Sequence, residues 1–148
     1  MISVSARCKF VGGSKMPALR TLIVEDYEEF RRFIRSKLQQ KTECVIVGEC
    51  LDGLQAVQQA QELQPDLIFM DVALPKLNGM VALRQIIKVS PNSKIVLLSQ
   101  NNSAEIVQEA LRRGAAGYLL KSDANQLPLA IDAILQGTVY VSSRLNRS

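Results

Sequence analysis

Carboxylate side chains stand directly after two apolar runs of this chain. Asp71 closes the run of residues 67–70, and Glu25 and Asp26 follow the run of residues 22–24. Three carboxylates that lie about 4 Å apart repel one another by about 4 kcal/mol per pair at an effective dielectric near 20. A fold keeps such a cluster only where a cation neutralises it, and ligands that are all oxygens favour a hard ion such as Mg²⁺.

Two further polar side chains follow apolar runs in the same way. Ser99 follows residues 95–98, and Lys121 follows residues 117–120. Ligand crevices in open α/β sheets lie at the carboxyl ends of the strands. We therefore expect the three acids, the serine and the lysine to converge at one edge of a sheet.

Strand-like and helix-like segments alternate five times along the chain. The predicted strands are short apolar runs at residues 19–24, 45–47, 67–70, 95–98 and 117–120. Apolar residues recur at helical spacing between them and after the last of them, in residues 27–38, 54–63, 79–91, 103–111 and 124–135. This order predicts an α/β fold, a (βα)5 doubly wound parallel five-stranded sheet with right-handed crossovers and helices on both faces.

Composition is that of an ordinary globular domain, with 47% hydrophobic and 22% charged residues among 148. No stretch approaches the roughly 20 apolar residues that a membrane span needs, so we expect no membrane partner. The net charge of +4 would permit contact with nucleic acid. The basic residues, however, are spread along predicted helices without interleaved aromatic residues. We interpret them as solvated helix faces.

The sequence also suggests a compartment and domain limits. Cys8, Cys44 and Cys50 are odd in number and lack metal-type spacing, which favours buried free thiols in a reducing cytoplasm. Residues 1–17 have no continuous apolar core of a secretory signal, and we expect a disordered leader. One domain is expected over residues 18–137. Residues 138–148 are expected to form a polar linker or tail without a partner for a second core.

The ordered set of motifs resembles the receiver domain of bacterial response regulators. The motifs are Glu25-Asp26, Asp71-Val72-Ala73-Leu74-Pro75 with Gly79, Leu98-Ser99 and Tyr118-Leu119-Leu120-Lys121. The resemblance covers about residues 19–136 and implies the flavodoxin-like receiver fold. It implies a phosphoacceptor that reacts with Mg²⁺ present. A sensor histidine kinase or phosphotransfer protein is the implied donor, and a homodimer is a further partner that the resemblance allows.

The resemblance also implies roles by position. Asp71 would accept the phosphoryl group, which Lys121 and Ser99 would contact. Asp71 would bind the metal together with the carboxylate of Asp26 and the backbone carbonyl of Ala73, and Glu25 would act on the metal through water. Ser99 and Tyr118 would form a switch, in which the serine draws its loop inward and the tyrosine follows.

Departures from the common pattern point to a subgroup. Ser122 follows Lys121 where many receivers have proline, and residues 137–142 resemble a linker. Both features resemble the NarL/FixJ (LuxR-type) subgroup, whose members usually continue into a DNA-binding helix-turn-helix domain. We therefore expect part of a transcriptional regulator that contacts DNA only through an output domain absent from this chain. A stand-alone receiver is the alternative.

Simpler interpretations of the same residues remain open. Asp26 fits a helix N-cap, Asp71 a turn, Ser99 loop chemistry, Lys121 the surface and Tyr118 core packing. An aspartyl phosphatase would show a second acid at residue 73, which is alanine, and a nucleotide-binding module would need a glycine-rich turn after the first strand. An interaction domain that is never phosphorylated is the remaining rival. We expect no enzyme activity beyond the chain's own phosphorylation and slow dephosphorylation.

Overall fold

A computed structural model describes residues 8–11 and 14–142 of the chain, with side chains described from Ala18 onward. The strands are β1 (Cys8–Val11), β2 (Ser14–Pro17), β3 (Leu19–Val24), β4 (Cys44–Cys50), β5 (Leu67–Asp71), β6 (Lys94–Ser99), β7 (Gly117–Leu120) and β8 (Tyr140–Val141). The helices are α1 (Glu28–Gln39), α2 (Gly53–Leu63), α3 (Gly79–Val89), α4 (Ala104–Arg112) and α5 (Leu127–Leu135), with a 3-10 segment over Lys121–Gln126.

The main sheet is parallel and has the strand order β4-β3-β5-β6-β7-β8. Its strands β3 to β7 correspond to the five predicted strands. Apolar side chains of the sheet and of α2, α3 and α4 fill one face, and those of α1 and α5 fill the other. The predicted doubly wound fold with helices on both faces is therefore confirmed.

The predicted number of five strands is wrong because β8 adds a sixth. Tyr140 pairs with Gly117, and the Ser142 amide donates to the Tyr118 carbonyl at 3.0 Å. These bonds satisfy backbone groups that would otherwise lie free at the edge of β7. The segment after residue 137, which we expected to be a linker or tail without a partner for a second core, therefore pairs with the main sheet as far as Ser142. Residues 143–148 of the predicted tail lie outside the described part.

Helix starts follow local capping chemistry. The Asp52 side chain accepts the Gln55 amide at 2.9 Å, and the Asn78 side chain accepts the Val81 amide at 3.0 Å, so both act as N-caps. The start of α3 at Gly79 confirms the prediction. The last α-helix begins at Leu127, later than predicted, with proline in its first turn, a position that tolerates the missing amide hydrogen.

The amino-terminal leader differs from the expected disorder where the structure describes it. Cys8–Val11 and Ser14–Pro17 pair as two antiparallel strands. Residues 1–7 and 12–13 lie outside the described part, so the prediction for them stays a prediction.

Two further predictions concern thiols and membranes. Cys44 and Cys50 are buried, as predicted, and neither forms a disulfide within the described residues, whereas the Cys8 side chain lies outside the described part. Burial, together with the Asp52 charge, raises the pKa of the Cys50 thiol to about 12. Within residues 8–11 and 14–142, none of the helices combines the length and the apolar character that crossing a bilayer demands.

Candidate functional site

A cavity of about 540 Å³ opens at the carboxyl edge of the sheet. Its lining includes every side chain that we expected to converge, namely Glu25, Asp26, Asp71, Ser99 and Lys121, and it also includes Tyr27, Gln100 and Asn101. The strands β3, β5, β6 and β7 end here side by side, so their parallel register brings the polar residues that follow them to one point.

Three carboxylates form the centre of the site. One carboxylate oxygen each from Glu25, Asp26 and Asp71 lies within 4.8 Å of the others. Glu25 and Asp71 are buried, with 0% and 4% of their surface exposed, whereas Asp26 is exposed. Carboxylate oxygens that gather in one open cavity fit a hard divalent cation such as Mg²⁺. Ala73 also lines the cavity.

Lys121 lies between the two buried acids. Its ammonium nitrogen is 3.0 Å from Glu25 Oε1 and 3.1 Å from Asp71 Oδ2, and it lies 4.8 Å from the centre of the Phe30 ring. Burial favours the neutral amine, but hydrogen bonds to Glu25 and Asp71 and their charges outweigh burial and raise the lysine pKa. The two buried acids therefore share one ammonium group, and with Asp26 three carboxyl groups gather around a single lysine.

Glu25 is held by its own main chain and by its neighbours. Its amide donates to the Cys50 carbonyl at 3.0 Å, and its Oε2 accepts the Tyr27 amide at 3.0 Å. Burial raises the pKa of this carboxyl and the nearby charge of Asp71 adds to the effect, although the Tyr27 amide and Lys121 oppose it. Tyr27 is the N-cap residue of α1, so the simpler interpretation of Asp26 as the cap is wrong.

Asp71 is the last residue of a fully buried strand. Its Oδ1 accepts the Ala73 amide at 3.0 Å, which leaves Oδ2 facing Lys121. The following loop is tight because the Gly79 amide donates to the Val72 carbonyl at 2.7 Å. A Cβ atom at Gly79 would overlap the main chain of Asp71 and Val72. This explains why glycine fits here.

Ser99 and Tyr118 meet through Asn101, a residue that we did not single out from the sequence. Ser99 Oγ accepts the Asn101 amide at 2.8 Å, and the Tyr118 hydroxyl donates to the Asn101 carbonyl at 3.1 Å. Tyr118 is fully buried. Burial raises the pKa of its hydroxyl and the Asp71 charge adds to this, while Ser99 opposes it. The two residues that we expected to form a switch therefore bind one shared loop residue.

Arg31 is a second residue whose setting differs from the expectation. We expected the basic residues of α1 to be solvated, but the Arg31 side chain is only 16% exposed. Its guanidinium donates to the Glu25 carbonyl at 3.1 Å and pairs with Glu49 at 3.2 Å. Helical spacing alone did not distinguish the buried Arg31 from its neighbour Arg32, which lies on the same helix and is 67% exposed.

Comparisons with known proteins agree on one family. The family described as the response regulator receiver domain matches residues 21–132. The transcriptional regulatory protein DegU of Brevibacillus brevis is 33% identical over 131 residues, which are 88% of this chain and 56% of DegU. The nitrate/nitrite response regulator protein NarL of Escherichia coli K12 is 33% identical over 84% of this chain and 58% of NarL. The chain thus spans little more than half the length of these relatives.

A solved structure gives the same result. The crystal structure of a two-component response regulator of the LuxR family from Aurantimonas sp. SI85-9A1 superposes with a TM-score of 0.81 at 29% identity. The match covers 86% of this chain and 92% of that one. Fold and sequence therefore point to the same group of proteins.

Proposed function

The chain belongs to the response regulator receiver domain family, of the NarL/LuxR type, and on that premise we propose that Asp71 accepts a phosphoryl group. One observation carries the proposal. The Asp71 carboxylate is buried at the floor of the cavity with a lysine ammonium 3.1 Å from one oxygen and two further acids beside it. A packing or turn role for Asp71 would need neither the lysine nor the additional acids.

Covalent catalysis explains the arrangement. An Asp71 oxygen attacks phosphorus in line, and the bond from phosphorus to the donor breaks as its electron pair leaves with the donor. The donor atom is the imidazole nitrogen of a phosphohistidine or the carboxylate oxygen of acetyl phosphate. Lys121 remains an ammonium ion because its pKa is raised, so it can offset charge on the phosphoryl oxygens.

The metal fits the same site. Asp26, Asp71 and the carbonyl of Ala73 would hold Mg²⁺ directly, with Glu25 acting through water. When bound, the ion would supply positive charge to the phosphoryl oxygens. The excess of acids over lysine supports this assignment, because one ammonium group does not neutralise three carboxylates.

The switch follows from two hydrogen bonds that one hydroxyl can make. Ser99 Oγ accepts the Asn101 amide, and a phosphoryl oxygen on Asp71 would accept the proton of the same hydroxyl. This second bond would draw the loop inward, and Tyr118 would follow because its hydroxyl is bound to the Asn101 carbonyl. We expect the surface formed by α4, β7 and α5 to change as a result, and we expect the donor near α1.

Partners and setting complete the proposal. We infer that the donor is a sensor histidine kinase or phosphotransfer protein and that phosphorylation controls a cytoplasmic transcriptional regulator. DNA would be contacted through an output domain distinct from the receiver, and a homodimer is an expected form. Activity would be limited to the receiver's own phosphorylation and slow dephosphorylation. A stand-alone receiver is the second candidate.

The test is the intact mass of the protein after exposure to acetyl phosphate with Mg²⁺. We expect the mass to rise by one phosphoryl group, and we expect no rise in Asp71→Asn. Asp132→Asn is the matched control, since Asp132 is half exposed and pairs with Lys41, and it should be phosphorylated normally. A rise in Asp71→Asn would refute the acceptor assignment. No rise in the unchanged protein would favour the interaction domain that is never phosphorylated.

A further inference from the structure

Arg31 makes a contact that no packing role requires. One guanidinium nitrogen donates to the main-chain carbonyl of Glu25 at 3.1 Å, and Nε lies 3.2 Å from Glu49 Oε1. The contact joins α1 to the residue that begins the acid cluster. It therefore bears on where Glu25 and Asp26 lie.

Glu49 is a fixed anchor for this contact. Arg35 binds both of its carboxylate oxygens, each at 2.7 Å. The next residue of β4, Cys50, accepts the Glu25 amide through its carbonyl. Both main-chain polar groups of Glu25 are thus bound to β4, the amide directly and the carbonyl through Arg31.

We propose that Arg31 is a positioning residue for the metal site: by tying the Glu25 carbonyl to Glu49, it fixes the turn that brings Glu25 and Asp26 to Asp71. The inference rests on the proposed metal site. The contact of Arg31 with Glu25 is to its main-chain carbonyl. Its effect on the ion would therefore be indirect, through the placement of the acids.

The charge of Arg31 and its contact with Glu25 should have opposite effects on Mg²⁺ affinity, so the inference can be tested. The positive charge of Arg31 alone would repel a cation, so removing it would tighten Mg²⁺ binding. Loss of the tie to Glu49 would instead let the turn move and would weaken binding. Arg32 offers a matched control, because it also carries positive charge on α1, but it is 67% exposed and its ion-pair partner is Glu28.

The experiment is a Mg²⁺ titration of the full chain, in which the amide chemical shifts of residues 25–27 report binding. We expect Arg31→Met to weaken Mg²⁺ binding by about 10-fold or more, in the range seen for partners that orient metal ligands. Arg32→Met should change affinity by less than about 3-fold. Without metal, amide exchange at Tyr27 should be faster in Arg31→Met than in Arg32→Met, because the Tyr27 amide is bound to Glu25 Oε2.

Affinity in Arg31→Met equal to or tighter than in Arg32→Met would overturn the inference. If Arg31→Met shows no cooperative urea transition, Arg31→Lys decides instead. Lysine keeps the charge but cannot bridge both acceptors with a rigid planar group, so binding should weaken by about 3-fold or more. Unchanged affinity in Arg31→Lys would overturn the inference. If the unchanged protein bound no Mg²⁺, the proposed metal site itself would fail, and this inference with it.

Discussion

The two edges of the main sheet bury polar groups in opposite ways. At the amino edge, Arg20 is 9% exposed, and its guanidinium donates to the carbonyls of Leu63 and Gln64 at 2.6 and 3.1 Å. Its amide donates to Asp66 at 2.9 Å. At the carboxyl edge, Glu25 and Asp71 are buried as deeply, but they face each other across one ammonium group.

This difference separates a structural use of buried charge from a chemical one. Each amino-edge contact joins a donor to an acceptor, and the two guanidinium contacts close the end of α2, where helix carbonyls lack partners. The carboxyl edge instead keeps like charges together, which costs stability until a cation arrives. A further cavity of about 360 Å³ at the amino edge has lysine and arginine in its lining and none of the three clustered acids. We therefore expect substitutions at the two edges to act on different properties.

The largest expected effect is at the amino edge. Arg20→Met keeps the apolar stem but removes the donor to two carbonyls, and we expect a loss of about 2–3 kcal/mol in the free energy of unfolding. Urea denaturation measures it. Arg32→Met is the control, because its ion pair with Glu28 is exposed, and it should cost less than about 0.5 kcal/mol. Equal losses in the two variants would remove the structural role given to the amino edge.

Gly79→Ala should have the next largest effect, and it should lower both the stability of the protein and the rate of phosphorylation. The added methyl group would overlap the main chain of Asp71 and Val72, and we expect a loss of about 1–3 kcal/mol in stability. Acetyl phosphate should also label the variant more slowly, because the acceptor would be displaced.

Gly137→Ala is the matched control for this prediction. Its φ is +81°, so alanine there is strained, yet a Cβ would meet no atom within 4 Å. It should lower stability by about 1 kcal/mol and leave labelling unchanged. Slower labelling in Gly137→Ala as well would show that reduced stability alone explains the effect.

A smaller effect should follow the addition of Mg²⁺. An ion that binds only the folded state adds about 1.4 kcal/mol at ten times its dissociation constant. We expect this increment in the unchanged protein and in Arg20→Met, and we expect it to vanish in Asp26→Asn. Urea denaturation with and without Mg²⁺ measures the increment. An increment that survives in Asp26→Asn would exclude that carboxylate as a ligand.

The smallest effect is that of Asp26→Asn without metal. Loss of one of three clustered charges should raise stability, but by less than about 1 kcal/mol, because Asp26 is exposed and water and salt screen it. The gain should shrink when salt is added. A variant less stable than the unchanged protein under metal-free, low-salt conditions would contradict the idea that repulsion is stored at this edge.

Sequence reasoning predicted the site better than it predicted the contacts that support the site. The carboxyl ends of parallel strands lie at the same edge of a sheet, so polar residues that directly follow the strands are expected to lie close together there. The role of Asn101 rests on its main-chain amide and carbonyl, which carry no signal of residue type. Arg31 and Arg32 are indistinguishable by pattern, and only the packing of α1 on β4 buries one of them.

The same limit applies to β8. Two residues show no alternation that could be read as a strand, and their pairing depends on where α5 ends and how the chain leaves Gly137. The other five parallel strands were easier to predict, because each contains a longer apolar run and is joined to the next by a helix.

The position of β8 gives the chain a mechanical connection. It runs parallel to β7, so the backbone moves toward the carboxyl edge, where Ser142 Oγ accepts the Leu120 amide at 2.7 Å, one residue before Lys121. Tension applied to the polypeptide beyond Ser142 would thus be borne by the strand that carries both Tyr118 and the residue preceding Lys121. A force on the chain after Ser142 would therefore be transmitted through β7 to the cavity, and a rearrangement in the cavity would be transmitted to Ser142 in return.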